Sequence, residues 1–166
     1  VRFPKGELLA EIYSKAVNTR TTIHDTVLDH FKQFETQVED VIRVLACYVQ
    51  KKRALSVMDF DDLLLEWHRL MVEFPDVGAS ISAQYKHVLV DEYQDTNRLQ
   101  AELCDLMSQV HKNLLVVGDD AQSIYGFRGA QRENILGFAD AHPGCKVFKL
   151  ETNYRSTAEI LEAANK

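Results

Sequence analysis

The run His87-Val88-Leu89-Val90-Asp91-Glu92-Tyr93-Gln94-Asp95 constrains this chain more than any other, because β-favouring and apolar residues stop abruptly at acids. A short apolar run of this kind reads as a buried strand of a parallel sheet. Carboxylates at the carboxyl end of such a strand stand where open α/β sheets place their ligands. In phosphoryl-transfer proteins the first such acid serves a magnesium ion and the second orients water. A strand that exits into a charged turn gives the same pattern, and on this segment alone both readings stand.

The rhythm around it settles the fold class. A second apolar run, Asn113–Gly118, ends in Asp119 and Asp120, and a third, Lys146–Leu150, leads into Glu151-Thr152-Asn153-Tyr154-Arg155. Between and after them come a helix capped by Thr96 or Asn97 and carrying Leu99, Leu103, Leu106 and Val110, a helix near Glu133–Ala141, and one opened by Ser156 with Glu159 as a capping box. Strand and helix in alternation predict a parallel sheet with right-handed crossovers.

The first half reads as helices only. A short one is expected over Glu7–Val17. A long one opens at Thr22 with Asp25 and runs through Ile23, Val27, Phe31, Phe34, Val38, Val41 and Leu45 to Tyr48. A third is capped by Asp59, carries Phe60, Leu63, Leu64, Trp67, Leu70, Met71 and Phe74, and stops at Pro75. Asp61 and Asp62 complement its dipole. Val77–Gln84 reads as a small-residue loop, His24 and His30 as solvent-facing, and Lys51-Lys52-Arg53 as a solvated helix end.

A net charge of -6 excludes a wholesale basic coat but not a local basic groove. Cys47, Cys104 and Cys145 are far apart and form no C-x-x-C pair, as expected of reduced, partly buried thiols in the cytosol. No apolar run is long enough to span a bilayer. Val1 is not an initiator methionine, and the expectation is a piece of a longer protein.

Successive strand ends offer Asp91-Glu92, Gln122 and Arg155, which a parallel sheet would gather at one edge. Phosphoryl transfer asks for this set: an acid for magnesium, a water-orienting group, an amide that senses the terminal phosphate, and an arginine against developing charge. Two other classes compete. A metal-dependent nuclease would hold two ions on Asp91, Glu92, Asp119 and Asp120, leaving Gln122 and Arg155 without a role. A non-enzymatic DNA- or protein-binding module would be indifferent to Glu92→Gln and Arg155→Ala.

Val90-Asp91-Glu92-Tyr93-Gln94-Asp95-Thr96-Asn97, the stretch Gly118–Ala130 and Leu150-Glu151-Thr152-Asn153-Tyr154-Arg155-Ser156 closely resemble motifs II, III and IV of UvrD/Rep-type superfamily 1 DNA helicases. Asp59-Phe60-Asp61-Asp62-Leu63-Leu64 also looks like that family. The resemblance implies an α/β fold, a partial P-loop NTPase (RecA-like) parallel sheet over residues 57–166 (1A-like), preceded by an all-helical inserted subdomain over residues 1–56 (1B-like). It implies that Asp91 binds magnesium, Glu92 activates water, Gln122 couples the γ-phosphate to the DNA site, Tyr154 stacks on adenine and Arg155 contacts the γ-phosphate. Tyr125 and Phe127 would form the platform for single-stranded DNA, with Arg128 pairing with phosphate or the site acids.

Ala121 stands where the family usually has an acid, and Phe127 where it usually has tryptophan. No G-x-x-x-x-G-K-[ST] occurs, since none of the 7 glycines precedes a lysine. The expectation is therefore an internal fragment, inactive alone, of a cytoplasmic, bacterial nucleoid-associated helicase that uses ATP and Mg2+. An incomplete sheet also invites self-association.

Overall fold

Apolar residues three and four apart build the amino-terminal half as helices. The computed structural model describes residues 2–126 and 129–164. In it α1 (Gly6–Thr19), α2 (Ile23–His30) and α3 (Val38–Ala54) share a core of Ile12, Tyr13, Val27, Phe31, Phe34, Val41 and Leu45. Thr22 caps α2 as expected, its hydroxyl accepting the Asp25 N–H at 3.0 Å. The single long helix expected from Ile23 to Tyr48 is interrupted: Phe31 leaves helical geometry (φ -132°, ψ 44°) and Lys32–Gln37 forms a 3-10 turn. Phe31 and Phe34 both stay buried across the break, so the apolar spacing reported a buried face and not helix continuity.

α4 (Phe60–Glu73) opens at a capping box in which Asp59 accepts the Asp62 N–H at 2.9 Å and Asp62 accepts the Asp59 N–H at 3.1 Å. Pro75 does more than end α4, for it is the first residue of α5 (Pro75–Ala83), where its missing N–H costs nothing. The loop expected over Val77–Gln84 is thus mostly helix. Its small residues permit close approach: a Cβ on Gly78 would meet the Met71 carbonyl oxygen at 2.6 Å. Buried Ser82 donates to the Met107 carbonyl at 2.9 Å and accepts the Val110 N–H at 3.1 Å.

Lys52, expected on a solvated helix end, is buried. Its Nζ lies 2.6 Å from both Asp59 Oδ2 and Asp62 Oδ2, and 4.5 and 4.4 Å from the ring centroids of Tyr13 and Tyr48. Its burial has a plain cause: the last turn of α3 faces the first turn of α4, where opposite charges complement the two helix dipoles. Burial alone would lower the lysine, but its hydrogen bonds to Asp59 and Asp62 outweigh that and hold its pKa above the ordinary range. Burial, with Asp62 beside it, pushes the Tyr13 phenol up to about 12.

β1 (Val88–Val90) and β2 (Leu114–Val116) pair in parallel, Val88 opposite Leu114 and Val90 opposite Val116. The crossover is α6 (Arg98–Ser108), opened by Asn97, whose side chain accepts the Gln100 N–H at 2.9 Å. The fold class is α/β, mostly helical with this two-stranded parallel sheet. The third strand expected at Lys146–Leu150 is absent among the described residues. A strand exists only through its ladder partner, and Val147, Phe148 and Leu150 are exposed without one.

The chain divides into a unit that ends at Leu136 and a second from Gly137 onward. The helix expected over Glu133–Ala141 is accordingly two, α7 (Glu133–Leu136) and α8 (Phe138–Ala141), interrupted by Gly137, a weak helix former. The second unit holds α8, a turn at Gly144 (φ 86°) and α9 (Ala158–Ala164), which starts after Thr157 and so later than a Ser156 cap would give. The three thiols are free, but only Cys104 is part-buried, while Cys47 and Cys145 are exposed. Among the described residues no helix is long and apolar enough to cross a membrane.

Candidate functional site

Parallel pairing carries the two strands out of the sheet side by side. Val117 N–H donates to Val90 O at 2.8 Å and Tyr93 N–H to Val117 O at 2.9 Å, which sets Asp91-Glu92 against Gly118-Asp119. Glu92 then turns the chain through the left-handed region (φ 51°, ψ 41°), a conformation uncommon outside glycine and frequent at functional sites. Its N–H is held by Asp91 Oδ1 at 2.9 Å. Both carboxylates are exposed, and each strand end passes into a 3-10 turn, Tyr93–Asp95 and Asp120–Gln122.

A hydrogen-bond path joins the two exits. Gln94 Nε2 donates to Glu92 Oε2 at 2.7 Å, and Gln94 Oε1 accepts the Asp119 N–H at 3.0 Å. Asp119 in turn accepts from the Ala121 N–H at 3.0 Å and from Gln122 Nε2 at 2.8 Å. Ser123 Oγ closes the path by donating to the Gln94 carbonyl at 3.2 Å. The expected site residues Asp91, Glu92 and Gln122 are thus brought together.

Farther along the loop, Asp120 pairs with Arg132, and Asn134 Nδ2 donates to the Thr96 carbonyl at 2.9 Å. Tyr125 is 38% exposed. Gly129 adopts φ 86°, which favours glycine, and is buried. Phe127 and Arg128 lie outside the described residues. Tyr154 and Arg155 belong to the second unit, where Asn153 Oδ1 accepts the N–H groups of Arg155 at 2.8 Å and Ser156 at 2.9 Å. That Asx turn presents both side chains on the surface.

Beside β1 opens a cavity of about 480 Å³ whose lining includes Trp67, Val88, Val90, Leu103, Glu92 and Asp95. Its wall is mainly apolar, unlike a phosphate cradle. The adjacent Tyr93 is buried, and burial raises its phenol well above the usual range. Among the described residues no cluster of three metal-ligating side chains occurs. Magnesium asks less of a protein, one or two carboxylates with waters and phosphate oxygens completing its shell. Asp91 fits that demand as an exposed hard-oxygen donor.

Two residues without an assigned role in the sequence organise this region. Gln94 sits inside the quoted motif, yet nothing in its type distinguishes a buried connector from a surface amide. Asn18 of α1 accepts from Asn97 Nδ2 at 2.9 Å and donates to Asp61 at 2.8 Å, fastening α1 to the segment that follows β1.

The profile of the UvrD/REP helicase N-terminal domain matches residues 3–143. The ATP-dependent DNA helicase PcrA of Leuconostoc citreum is 46% identical over 127 residues, covering 76% of this chain and 17% of the relative. A probable DNA helicase II homolog of Rickettsia felis is 45% identical over 117 residues, 70% of this chain and 18% of that protein. DNA helicase II of Escherichia coli K12 is 39% identical over 137 residues, 82% of this chain and 19% of that protein. The chain spans about a fifth of the length of these curated relatives. The chain belongs to the UvrD/REP helicase N-terminal domain family.

Proposed function

We propose that this chain is part of the first motor domain of an ATP-dependent DNA helicase that couples Mg2+-ATP hydrolysis to movement on single-stranded DNA. The observation that carries the reading is the meeting of Asp91-Glu92 with Asp119 and Gln122 at one sheet edge, joined by hydrogen bonds. Residues 1–56 are its 1B-like helical part and residues 57–166 its partial 1A-like motor part, with the RecA-like sheet represented by β1 and β2.

In this reading Asp91 holds the magnesium ion, which when bound neutralises phosphate charge. Glu92 accepts a proton from the attacking water, and its exposed carboxylate is already oriented by Gln94. Gln122 contacts the γ-phosphate by exchanging its bond to Asp119. Arg155 opposes the charge that develops on that phosphate, and Tyr154 stacks on the base of the nucleotide. Tyr125 and Phe127 stack on DNA bases and Arg128 pairs with phosphate. No G-x-x-x-x-G-K-[ST] stands in the 166 residues, so the isolated chain is expected to hydrolyse little ATP. In this reading the parent protein works in the cytoplasm, at the nucleoid.

The competing nuclease reading asks Asp119 to ligate an ion, where its two oxygens already accept from the Ala121 N–H and from Gln122, and it leaves Gln122 and Arg155 without a role. The experiment is steady-state ATP hydrolysis with magnesium and single-stranded DNA, for the full-length protein and for this chain. Glu92→Gln is expected to lower kcat of the full-length protein by about 100-fold or more, as for loss of a general base. Undiminished hydrolysis by that variant, or robust hydrolysis by the 166-residue chain alone, refutes the proposal.

A further inference from the structure

Gln94 is only 1% exposed, and its side-chain amide joins Glu92, at the exit of β1, to the loop that follows β2. Its orientation is dictated chemically. Glu92 Oε2 can only accept and the Asp119 N–H can only donate, so Nε2 must face the carboxylate and Oε1 the backbone. A flipped amide would set acceptor against acceptor and donor against donor.

Three side chains of similar length fail to serve both sides at neutral pH. Methionine offers neither hydrogen bond, glutamate repels Glu92, and lysine offers nothing to the Asp119 N–H. The neighbouring backbone is shaped to admit the amide, since a Cβ on Gly118 would lie 2.3 Å from Gln94 Oε1.

Gln94 also grips the loop twice. Its side chain holds Asp119 and its carbonyl holds Ser123, so the two contacts bracket the 3-10 turn that carries Gln122. Gln122 in turn is bonded to Asp119, the residue whose N–H Gln94 holds. Any movement of Gln122 away from Asp119, or of the loop through Tyr125, therefore acts on the amide that orients Glu92.

We propose that Gln94 is a positioning residue that sets the Glu92 carboxylate and transmits to it the state of the 118–126 loop, so that stimulation of hydrolysis by DNA passes through its side-chain amide. The inference rests on the reading of Glu92 as the water-activating base. A buried amide that merely satisfied the core would affect stability and leave the response to DNA intact.

The test is ATP hydrolysis by the full-length protein with and without single-stranded DNA. For Gln94→Met, kcat with DNA is expected to fall about 10- to 100-fold, the cost of a lost hydrogen bond to a charged group. The KM for ATP should change little, and kcat without DNA should fall less, so the stimulation ratio shrinks. Gln94→Glu supplies a second readout if the methionine variant folds poorly. Its acid, raised by burial and by Glu92, can donate to Glu92 once protonated, so its activity relative to the native protein should recover as pH falls from about 8 to about 6. A stimulation ratio unchanged in Gln94→Met, or a native pH profile in Gln94→Glu, overturns the inference. Parallel assay of Glu92→Gln separates the two failures: if that variant keeps native hydrolysis, the reading of the base fails and the inference with it. If it is inactive while Gln94→Met keeps the native ratio, only the inference fails.

Discussion

Replacing Lys52 by methionine keeps the aliphatic stem and removes the charge. Lys52 Nζ stands 2.6 Å from each of two carboxylates, and the side chains of Lys52, Asp59 and Asp62 are 9%, 32% and 13% exposed. Without the cation the two acids, bonded by the Tyr13 and Tyr48 hydroxyls, are left as neighbouring like charges. Breaking a buried ion pair from one side costs about 3–5 kcal/mol, whereas an exposed bridge contributes about 0–1 kcal/mol. Asp59 reaches solvent and the other two hardly do, so a cost of about 2–4 kcal/mol is expected. That is a large share of the roughly 5–15 kcal/mol that stabilises a typical domain. Equilibrium urea unfolding at neutral pH, followed by circular dichroism, reads it directly, with the slope unchanged if only stability moves.

The same substitution carries a pH signature. Burial alone would raise the Asp59 carboxyl, but the hydrogen bonds from Lys52, the Asp62 N–H and Tyr48 prevail and hold it below the usual value. A depressed carboxylate contributes stability above its unfolded pKa of about 3.9 and loses it as pH falls through the folded value. The gap between native and Lys52→Met should thus be full at neutral pH and narrow on acidification below about pH 4. Adding Asp62→Asn should give back part of the loss, because it ends the like-charge repulsion and keeps an oxygen for the Asp59 N–H. A cost under about 0.5 kcal/mol, the size of an ordinary surface substitution, would mean that the Lys52 cation does not hold the two acids. So would a gap that ignores pH.

Two further outcomes follow from packing. Gly118→Ala places a methyl 2.3 Å from Gln94 Oε1 and 2.7 Å from Ile135 Cδ1, and should cost about 1–3 kcal/mol in urea unfolding; a neutral result would mean that the loop yields freely. The isolated chain should self-associate through its two-stranded sheet, where Leu89 and Leu115 are paired in register and are 71% and 52% exposed. Light scattering that finds only monomer at high concentration would count against it.

What the sequence disclosed and what it withheld divide along the range of the forces involved. Caps at Thr22, Asp59 and Asn97 were legible because each depends on an oxygen and an N–H three residues apart. The two acidic strand ends were legible because a short apolar run and its exit are local. The interruption at Phe31 was not, since a 3-10 turn preserves the side that faces the core. Lys52 lay beyond reach because its partners are Tyr13, Asp59 and Asp62, on two other helices. Gln94 carried no signal, because burial of an amide depends on the neighbouring strand exit that receives it.

Amides recur at the junctions of this chain for one physical reason. Asn18, Gln94 and Asn97 each accept on one side and donate on the other, and each is nearly buried. An amide bridges an N–H and an oxygen acceptor without a charge of its own to desolvate. A buried lysine or carboxylate at the same place would need counter-charges, as Lys52 does, and would add its own field to the strand exits. With neutral connectors between β1 and the 118–123 loop, the negative potential at that edge comes from Asp91, Glu92 and Asp119. Asp119 accepts from Gln122 and the Ala121 N–H, and Asp91 and Glu92 stand exposed beside it to meet a ligand.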